Sequence, residues 1–290
     1  MKDNDAFGNR MKTYEGAEAM RTLLPLTPIM VRLDGKNFHT FTKGLKRPFD
    51  IGFSTLMVET TKFLVDKLNA KLAYTQSDEI SLTIYNKNYS TEPLFSNRVQ
   101  KLTSVIASMC TAYFNSRIPE FIPSKKDKLA FFDCRVWNVP NLMEATNNYV
   151  WREVDATKNS IAMAAQAFFS HKQLQNKSGS EMQDMLMLEK GVNWNDYPAF
   201  FKRGTYVRRS TKVIPYTNME IEKLPPKHAA RTNPDLKIVR SVVEVCDFPP
   251  ILKIMNREDV LFSGYEIMSF EQLQETNKRM AQAAQQNNPW

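Results

Sequence analysis

Pro28-Ile29-Met30-Val31-Arg32-Leu33-Asp34-Gly35 decides the fold of this 290-residue chain. It is a short apolar run with β-branched residues, closed by Asp34-Gly35, and it predicts a strand over residues 28–34. Downstream, a loop holding Gly44 and Pro48 leads into residues 54–70. There Leu56, Met57, Phe63, Leu64 and Leu68 recur at helical spacing. Residues 72–75 and 80–85 predict two further strands, with Gln76-Ser77-Asp78-Glu79 as the turn between them. Residues 97–114 are again helical, because Val99, Leu102, Val105, Ile106, Met109 and Tyr113 share one face. Residues 129–139 predict a strand bounded by Pro140.

The order β-α-β-β-α-β is the split βαβ, or ferredoxin-like, arrangement. The expected fold class is therefore α+β: an antiparallel sheet with its helices on one face. Nucleotide polymerases and cyclases use this arrangement as a palm. Further α/β elements follow. Pro225-Pro226 marks a break, and residues 236–245 read as a strand returning to the body. The expected organisation is a catalytic domain over residues 1–215 and a C-terminal extension over 216–290, partly packed on the core. Its Gln/Asn-rich tail, Gln282 to Asn288, is expected to fray.

Composition narrows the function classes. Hydrophobic residues make up 42% and charged residues 24%, which excludes a wholly disordered chain. No uncharged apolar run approaches the roughly 20 residues that span a bilayer, so no membrane partner is expected. The opening MKDNDAFGNR lacks the apolar core of a secretory signal. Cys110, Cys134 and Cys246 are too scattered for a disulfide framework or a Cys-x-x-Cys zinc site. His39, His171 and His228 lack zinc-protease spacing. The expectation is a cytoplasmic protein with reduced thiols. The net charge is +8, and residues 201–240 hold ten Lys/Arg against three Asp/Glu, a local +7. Either a solvated basic face or a polyanionic partner, nucleic acid first, explains it. In the second case Lys202, Arg203, Arg208 and Arg209 contact RNA phosphate.

Asp34 is expected at the end of the first strand, and Asp78 and Glu79 in the turn of the neighbouring hairpin. Adjacent strands bring them together. Two hard carboxylates at an open site suit Mg²⁺, which keeps waters and takes substrate phosphates as further ligands. Two such ions clamp the attacking and leaving oxygens of a phosphoryl transfer. The competing reading is a turn cap at Asp34 and ordinary hairpin acids at Asp78 and Glu79. Ser77 offers a hydroxyl to a phosphate. Arg98 and Lys101, three apart near a helix start, suit a triphosphate grip or simply a soluble helix surface.

Five motifs then occur in order: VRLDGKNFHTF from Val31, YTQSDEISL from Tyr74, FFDCRVWNVP from Phe131, YVWREVDA from Tyr149 and FKRGT from Phe201. Together, over roughly residues 10–210, they resemble the tRNA-His guanylyltransferase family, which adds nucleotides in the 3′-to-5′ direction. The resemblance implies a polymerase-like palm acting on tRNA. The 5′ end is activated by ATP or GTP, and the 3′-hydroxyl of an incoming nucleotide then attacks it. It implies two Mg²⁺ ions on Asp34 and Asp78 with the Gly35 carbonyl as a further ligand, and Glu79 in support. It implies nucleotide contacts along Asp34, Gly35, Lys36, Asn37, Phe38 and His39, and at Ser77 and Asp78. Arg98 and Lys101 match basic positions that hold a triphosphate. Arg47, before Pro48, stands where a lysine is usual. A tetramer is implied as well.

One departure matters. The dedicated eukaryotic enzymes carry a His-x-Asn-Asn run where this chain has Thr157-Lys158-Asn159-Ser160. Thr157 replaces the histidine, and Asn159 alone remains of the asparagine pair as a nucleotide contact. This pattern resembles the bacterial and archaeal guanylyltransferase-like branch, which implies template-dependent repair of tRNA 5′ ends. A palm-type nucleotide cyclase is the rival enzyme, and it leaves the basic stretch unexplained. A non-catalytic RNA-binding module predicts loss of the carboxylates, yet both aspartates are present.

Overall fold

Strands β1 (Ile29–Gly35), β2 (Leu72–Gln76), β3 (Glu79–Ile84), β4 (Phe132–Asn138), β5 (Thr205–Pro215) and β6 (Lys237–Cys246) form one antiparallel sheet. Their order is β4-β1-β3-β2-β5-β6. The first four give the ferredoxin-like order, and β5 and β6 extend the sheet beyond β2. The computed structural model describes residues 6–233 and 235–286.

Alternation along β1 assigns the two faces. Ile29, Val31 and Leu33 enter one hydrophobic core, and Met30 enters another on the opposite face. The helices of the split βαβ unit cover the first face. After α1 (Ala6–Ala19), these are α2 (Ile51–Lys67) and α3 (Val99–Phe121), which bury Leu56, Met57, Leu64, Leu102, Ile106 and Phe114. The helix expected from residue 54 starts at Ile51, because the Asp50 carboxylate caps it by accepting the Phe53 N–H at 3.0 Å.

The second face is covered by α4 (Leu142–Gln166), whose Ala145, Tyr149 and Ala156 pack on Met30, Leu72, Tyr74 and Tyr206. This helix adds a layer beyond the helices expected on one face. A smaller core joins α4 to α5 (Gly179–Lys190) and to Phe201.

The boundary expected at residue 215 falls inside a paired hairpin, since β5 and β6 match from Tyr206↔Cys246 to Pro215↔Lys237. Ile251 and Leu261 lie in the second core, so the C-terminal part builds the body. The tail expected to fray is helical as far as it is described. Helix α6 spans Phe270–Gln286, and Asn287 and Asn288 lie outside the described residues.

Candidate active site

Sheet register assembles the acids. Asp34 pairs with Glu79 on β3 and with Asp133 on β4. Directly opposed residues have Cβ atoms about 4.5–5.5 Å apart, so three carboxylates stand in one row across three strands. Asp78 follows in the β2–β3 turn. Ser77 there takes a left-handed conformation, φ 52°, and its hydroxyl donates to the Asp78 carboxylate at 3.0 Å.

Two guanidiniums answer four carboxylates. Arg152 on α4 grips Glu79 through Nε at 2.7 Å and Nη2 at 2.6 Å, and donates to Asp155 at 3.1 Å. Arg135 lies 3.4 Å from Asp133 and 3.7 Å from Asp34. Asp78 has no cationic partner among the described residues. Burial raises its pKa, and the charges of Asp34 and Glu79 add to that, against hydrogen bonds from its own backbone and Ser77.

This donor set fits Mg²⁺. The surplus of carboxylate charge is uncompensated from within, the oxygens are hard, and Asp34 is open to solvent, its side chain 39% exposed. The acids are strung along a row, and among the described residues no group of three or more His, Cys, Asp or Glu forms a ready-made cage. Two carboxylates with the Gly35 carbonyl is the smaller protein contribution that Mg²⁺ accepts when waters and phosphates complete its shell.

A cavity of about 410 Å³ opens beside the row, lined by Gly35, Asn37, Phe38, His39, Thr42, Ser77 and Asp78. Its floor is tightly built. A Cβ on Gly35 would stand 2.3 Å from the Phe38 ring, so only glycine allows the chain to pass there. Asn37, at φ 55°, turns the backbone into a one-turn helix, Phe38–Phe41. Phe38 packs among Phe41, Phe53, Phe114 and Phe132 with ring centroids 5.0–6.0 Å away. Phe38, expected in the nucleotide-holding stretch, lines the cavity while its side chain is nearly all buried in the core. His39 lines the cavity and is exposed, as are Lys36 and Arg47, which are not among its lining residues.

Arg98 and Lys101 do not join this site within the chain. Val99 N–H bonds the Arg21 carbonyl, Leu23 N–H bonds the Asn97 carbonyl, and Leu24 N–H bonds Asn138. All of these lie at the Ile29 end of the sheet. Five residues of strand separate Ile29 from Asp34, about 17 Å at roughly 3.4 Å per residue. The reason is topological: β3 carries the chain away from the acids, and α3 only then starts back.

Asn159 is exposed and donates to Asp155 at 3.2 Å. Lys202 donates to the Asn195 carbonyl and lies over the Trp194 ring, and Arg203 Nε sits 4.0 Å from the buried Glu153. Arg208 donates to the Val260 carbonyl at 2.8 Å, and Arg209 to the Val65 and Asp66 carbonyls at 3.0 and 2.8 Å. Arg209 thus turns most of its bonds inward, whereas Arg208 has one such bond, and the Nε of each has no partner among the described residues.

The sequence reading missed Arg152, Asp155, Asp133 and Arg135 as site residues. Asp133 and Arg135 sit two apart in a strand, so they share a face with Asp34, a signal that register alone reveals. Arg152 and Asp155 are three apart on a helix and face the same way.

Residues 8–140 match the tRNAHis guanylyltransferase family. The tRNA(His) guanylyltransferase of Saccharomyces cerevisiae is 31% identical over 214 residues, spanning 68% of this chain and 89% of the relative. A bacterial tRNA(His) guanylyltransferase-like protein solved in complex with ATP superposes with a TM-score of 0.66 at 46% identity, over 71% of this chain and 87% of that one. A complex of such a bacterial protein with GTP gives 0.66 at 37% identity, over 86% and 95% of the two chains.

Proposed function

The chain belongs to the tRNA-His guanylyltransferase family and is a nucleotidyltransferase, and we propose that within that family it is a Mg²⁺-dependent 3′-to-5′ polymerase that restores tRNA 5′ ends against a template. The observation that supports this reading is a surplus of carboxylate charge beside the cavity: Asp78 lines it, and Asp34, next to the lining Gly35, stands opposite Glu79 in the ladder. The ATP and GTP held by the bacterial neighbours suit the same cavity as substrates of this chain.

Asp34 and Asp78, with the Gly35 carbonyl, would hold Mg²⁺, which when bound supplies positive charge to the reacting phosphates. Asn37 and Ser77 keep the backbone turns that shape the cavity around a nucleotide. Arg152 fixes Glu79 and so keeps the β2–β3 turn in place. The 3′-hydroxyl of the incoming nucleotide attacks the activated 5′ phosphorus, and the activating group leaves. A palm that only positions these atoms needs no base-specific pocket, so pairing with the acceptor strand selects the base. Among the solved structures the bacterial guanylyltransferase-like complexes are 46% and 37% identical and the yeast enzyme 29%, which supports the guanylyltransferase-like branch. A homo-tetramer and a cytoplasmic setting belong to the same proposal. Among the described residues no helix is long and apolar enough to cross a membrane.

Two experiments test the reading. Asp34→Ala and Asp78→Ala should each slow single-turnover addition to pre-activated tRNA by about 100- to 1000-fold, equivalent to losing ~2.7–4 kcal/mol of preorganised electrostatic stabilisation. Circular dichroism checks the fold, and near-wild-type rates in either folded variant would sink the metal assignment. Separately, tRNAs lacking their first nucleotide are offered each triphosphate, with each of the four bases opposite the gap. Complementary addition supports repair. Guanine addition opposite all four bases, with complementary nucleotides rejected, makes this a dedicated guanylyltransferase.

A further inference from the structure

A cationic cavity lies away from the acids, at the other end of β2. It encloses about 560 Å³ between the start of β2, the middle of β5 and the C-terminal segment, and Lys71, Lys87, Arg208, Arg209 and Lys212 line it with Glu244 as the one acid. Glu244 is shared: it pairs with Lys212 and stands 3.7 Å from Arg208, while Arg209 turns to Asp66 at 3.2 Å. Five cations thus meet two carboxylates. Lys71 and Lys87 have no ion-pair partner among the described residues, and the hydroxyls of Tyr85 and Thr211 have no acceptor there. The Arg208 and Arg209 Nε atoms are buried without partners.

The C-terminal segment completes the wall. Val260 fixes Arg208 through its carbonyl at 2.8 Å. Gly264, at φ +74°, leaves the room that the guanidinium needs, since an added Cβ would stand 3.3 Å from Arg208 Nη1. A cavity lined by five cations, two of them lysines without ion-pair partners among the described residues, is the complement of an oxyanion. We propose that this cavity binds phosphates of the RNA backbone, at a point remote from the reacting 5′ end.

The inference rests on the reading that RNA is the substrate. Geometry favours a backbone over a free nucleotide. Lys71 precedes β2, and five residues separate it from Gln76 at the acid end, about 17 Å. A nucleotide held there has no access to Asp34. An RNA helix whose end lies at the acids covers the same distance along its backbone within its first turn.

The test is a Lys71→Ala/Lys87→Ala variant, with tRNA affinity measured against salt for it and for the wild type. Loss of two phosphate contacts should lower the slope of log affinity against log salt by about 1.4–1.8 and weaken binding on the order of tenfold at moderate salt. ATP and inorganic tripolyphosphate are titrated in parallel. An unchanged slope and affinity for tRNA overturns the proposal. Loss of ATP or tripolyphosphate binding with tRNA affinity intact assigns the cavity to free nucleotide and overturns it too. If the wild type fails to bind tRNA at any salt, the RNA reading itself is at fault, a result distinct from either variant outcome, and the proposal falls with it.

Discussion

Arg152→Ala should be among the most damaging single substitutions in this protein, though Arg152 carries no reacting atom. Its side chain is 12% exposed and that of Glu79 13%. The pair is bidentate at 2.7 and 2.6 Å. Without Arg152, the Glu79 carboxylate keeps only the Ser81 hydroxyl at 3.3 Å while facing Asp34 across the ladder. Breaking a buried pair from one side leaves an uncompensated charge, at a cost of about 3–5 kcal/mol. At ~2–4 °C per kcal/mol for a large domain, the melting temperature should fall by roughly 6–20 °C. Removing both charges as Glu79→Gln/Arg152→Met should restore most of that loss, because no buried charge is left without a partner. Urea and thermal unfolding of the wild type, Arg152→Ala and the double variant make the comparison, and single-turnover addition is read beside it. If Arg152→Ala costs less than ~1 kcal/mol, a value typical of surface pairs, the clamp has been misread. A double variant no more stable than Arg152→Ala refutes the charge argument equally.

Three further outcomes follow from the geometry. Gly35→Ala forces a Cβ to 2.3 Å from the Phe38 ring, so melting should show a loss of ~1–3 kcal/mol and nucleotide addition should fall sharply; an active, equally stable variant contradicts the packing. Glu153 has its pKa raised from the ordinary 4.5, chiefly by burial, against hydrogen bonds from the Ile251 N–H and the Tyr206 hydroxyl. The folded state therefore holds this proton more tightly, so Glu153's contribution to stability is full below pH 4.5 and is lost as pH rises through the raised value, and Glu153→Gln should flatten that part of a urea-midpoint series. Asn159→Ala removes the 3.2 Å bond to Asp155, which itself supports Arg152; a contribution through this chain lowers kcat mildly with nucleotide KM unchanged, and a several-fold rise in nucleotide KM shows direct contact instead.

The first half of the chain was legible because its signals are local. The β-branched run at Ile29, the helical spacing of Leu56 to Leu68 and the turn at Ser77-Asp78 each fix their own element, and the β-α-β-β-α-β order then dictates which strands are neighbours. That was enough to bring Asp34 beside the β2–β3 turn. It was not enough for the counter-charges. Arg152 reaches Glu79 from a helix on the other face of the sheet, a contact 73 residues apart that no spacing rule encodes. Arg98 and Lys101 failed to meet the acids for a related reason. Their pairing in a helical turn is local, but which end of the sheet that turn occupies depends on the direction of β3. The clustered charge of residues 201–240 gives the amount of positive charge, not what each cation meets. Arg208 is held by the Val260 carbonyl and Arg209 by the Val65 and Asp66 carbonyls, yet both border one cationic cavity.

Neighbouring positions on α4 explain why the C-terminal part cannot be treated as an appendage. Arg152 holds Glu79 at the acid end of the sheet. Glu153, buried and next in sequence, accepts the Ile251 N–H at 2.8 Å and the Tyr206 hydroxyl at 3.0 Å. One rigid turn of helix therefore ties the segment after β6 to the β2–β3 turn. A shift of either partner moves both, because helix and sheet are packed through Tyr149, whose hydroxyl bonds Thr83 at 2.8 Å and the Leu72 carbonyl at 3.1 Å. Packed interiors respond to such shifts by small rigid displacements, and an error of about 1 Å in a positioned group is enough to cost on the order of 100-fold in rate. The placement of Asp78 thus depends on contacts made more than 170 residues downstream, which a reading of the palm motifs alone leaves out.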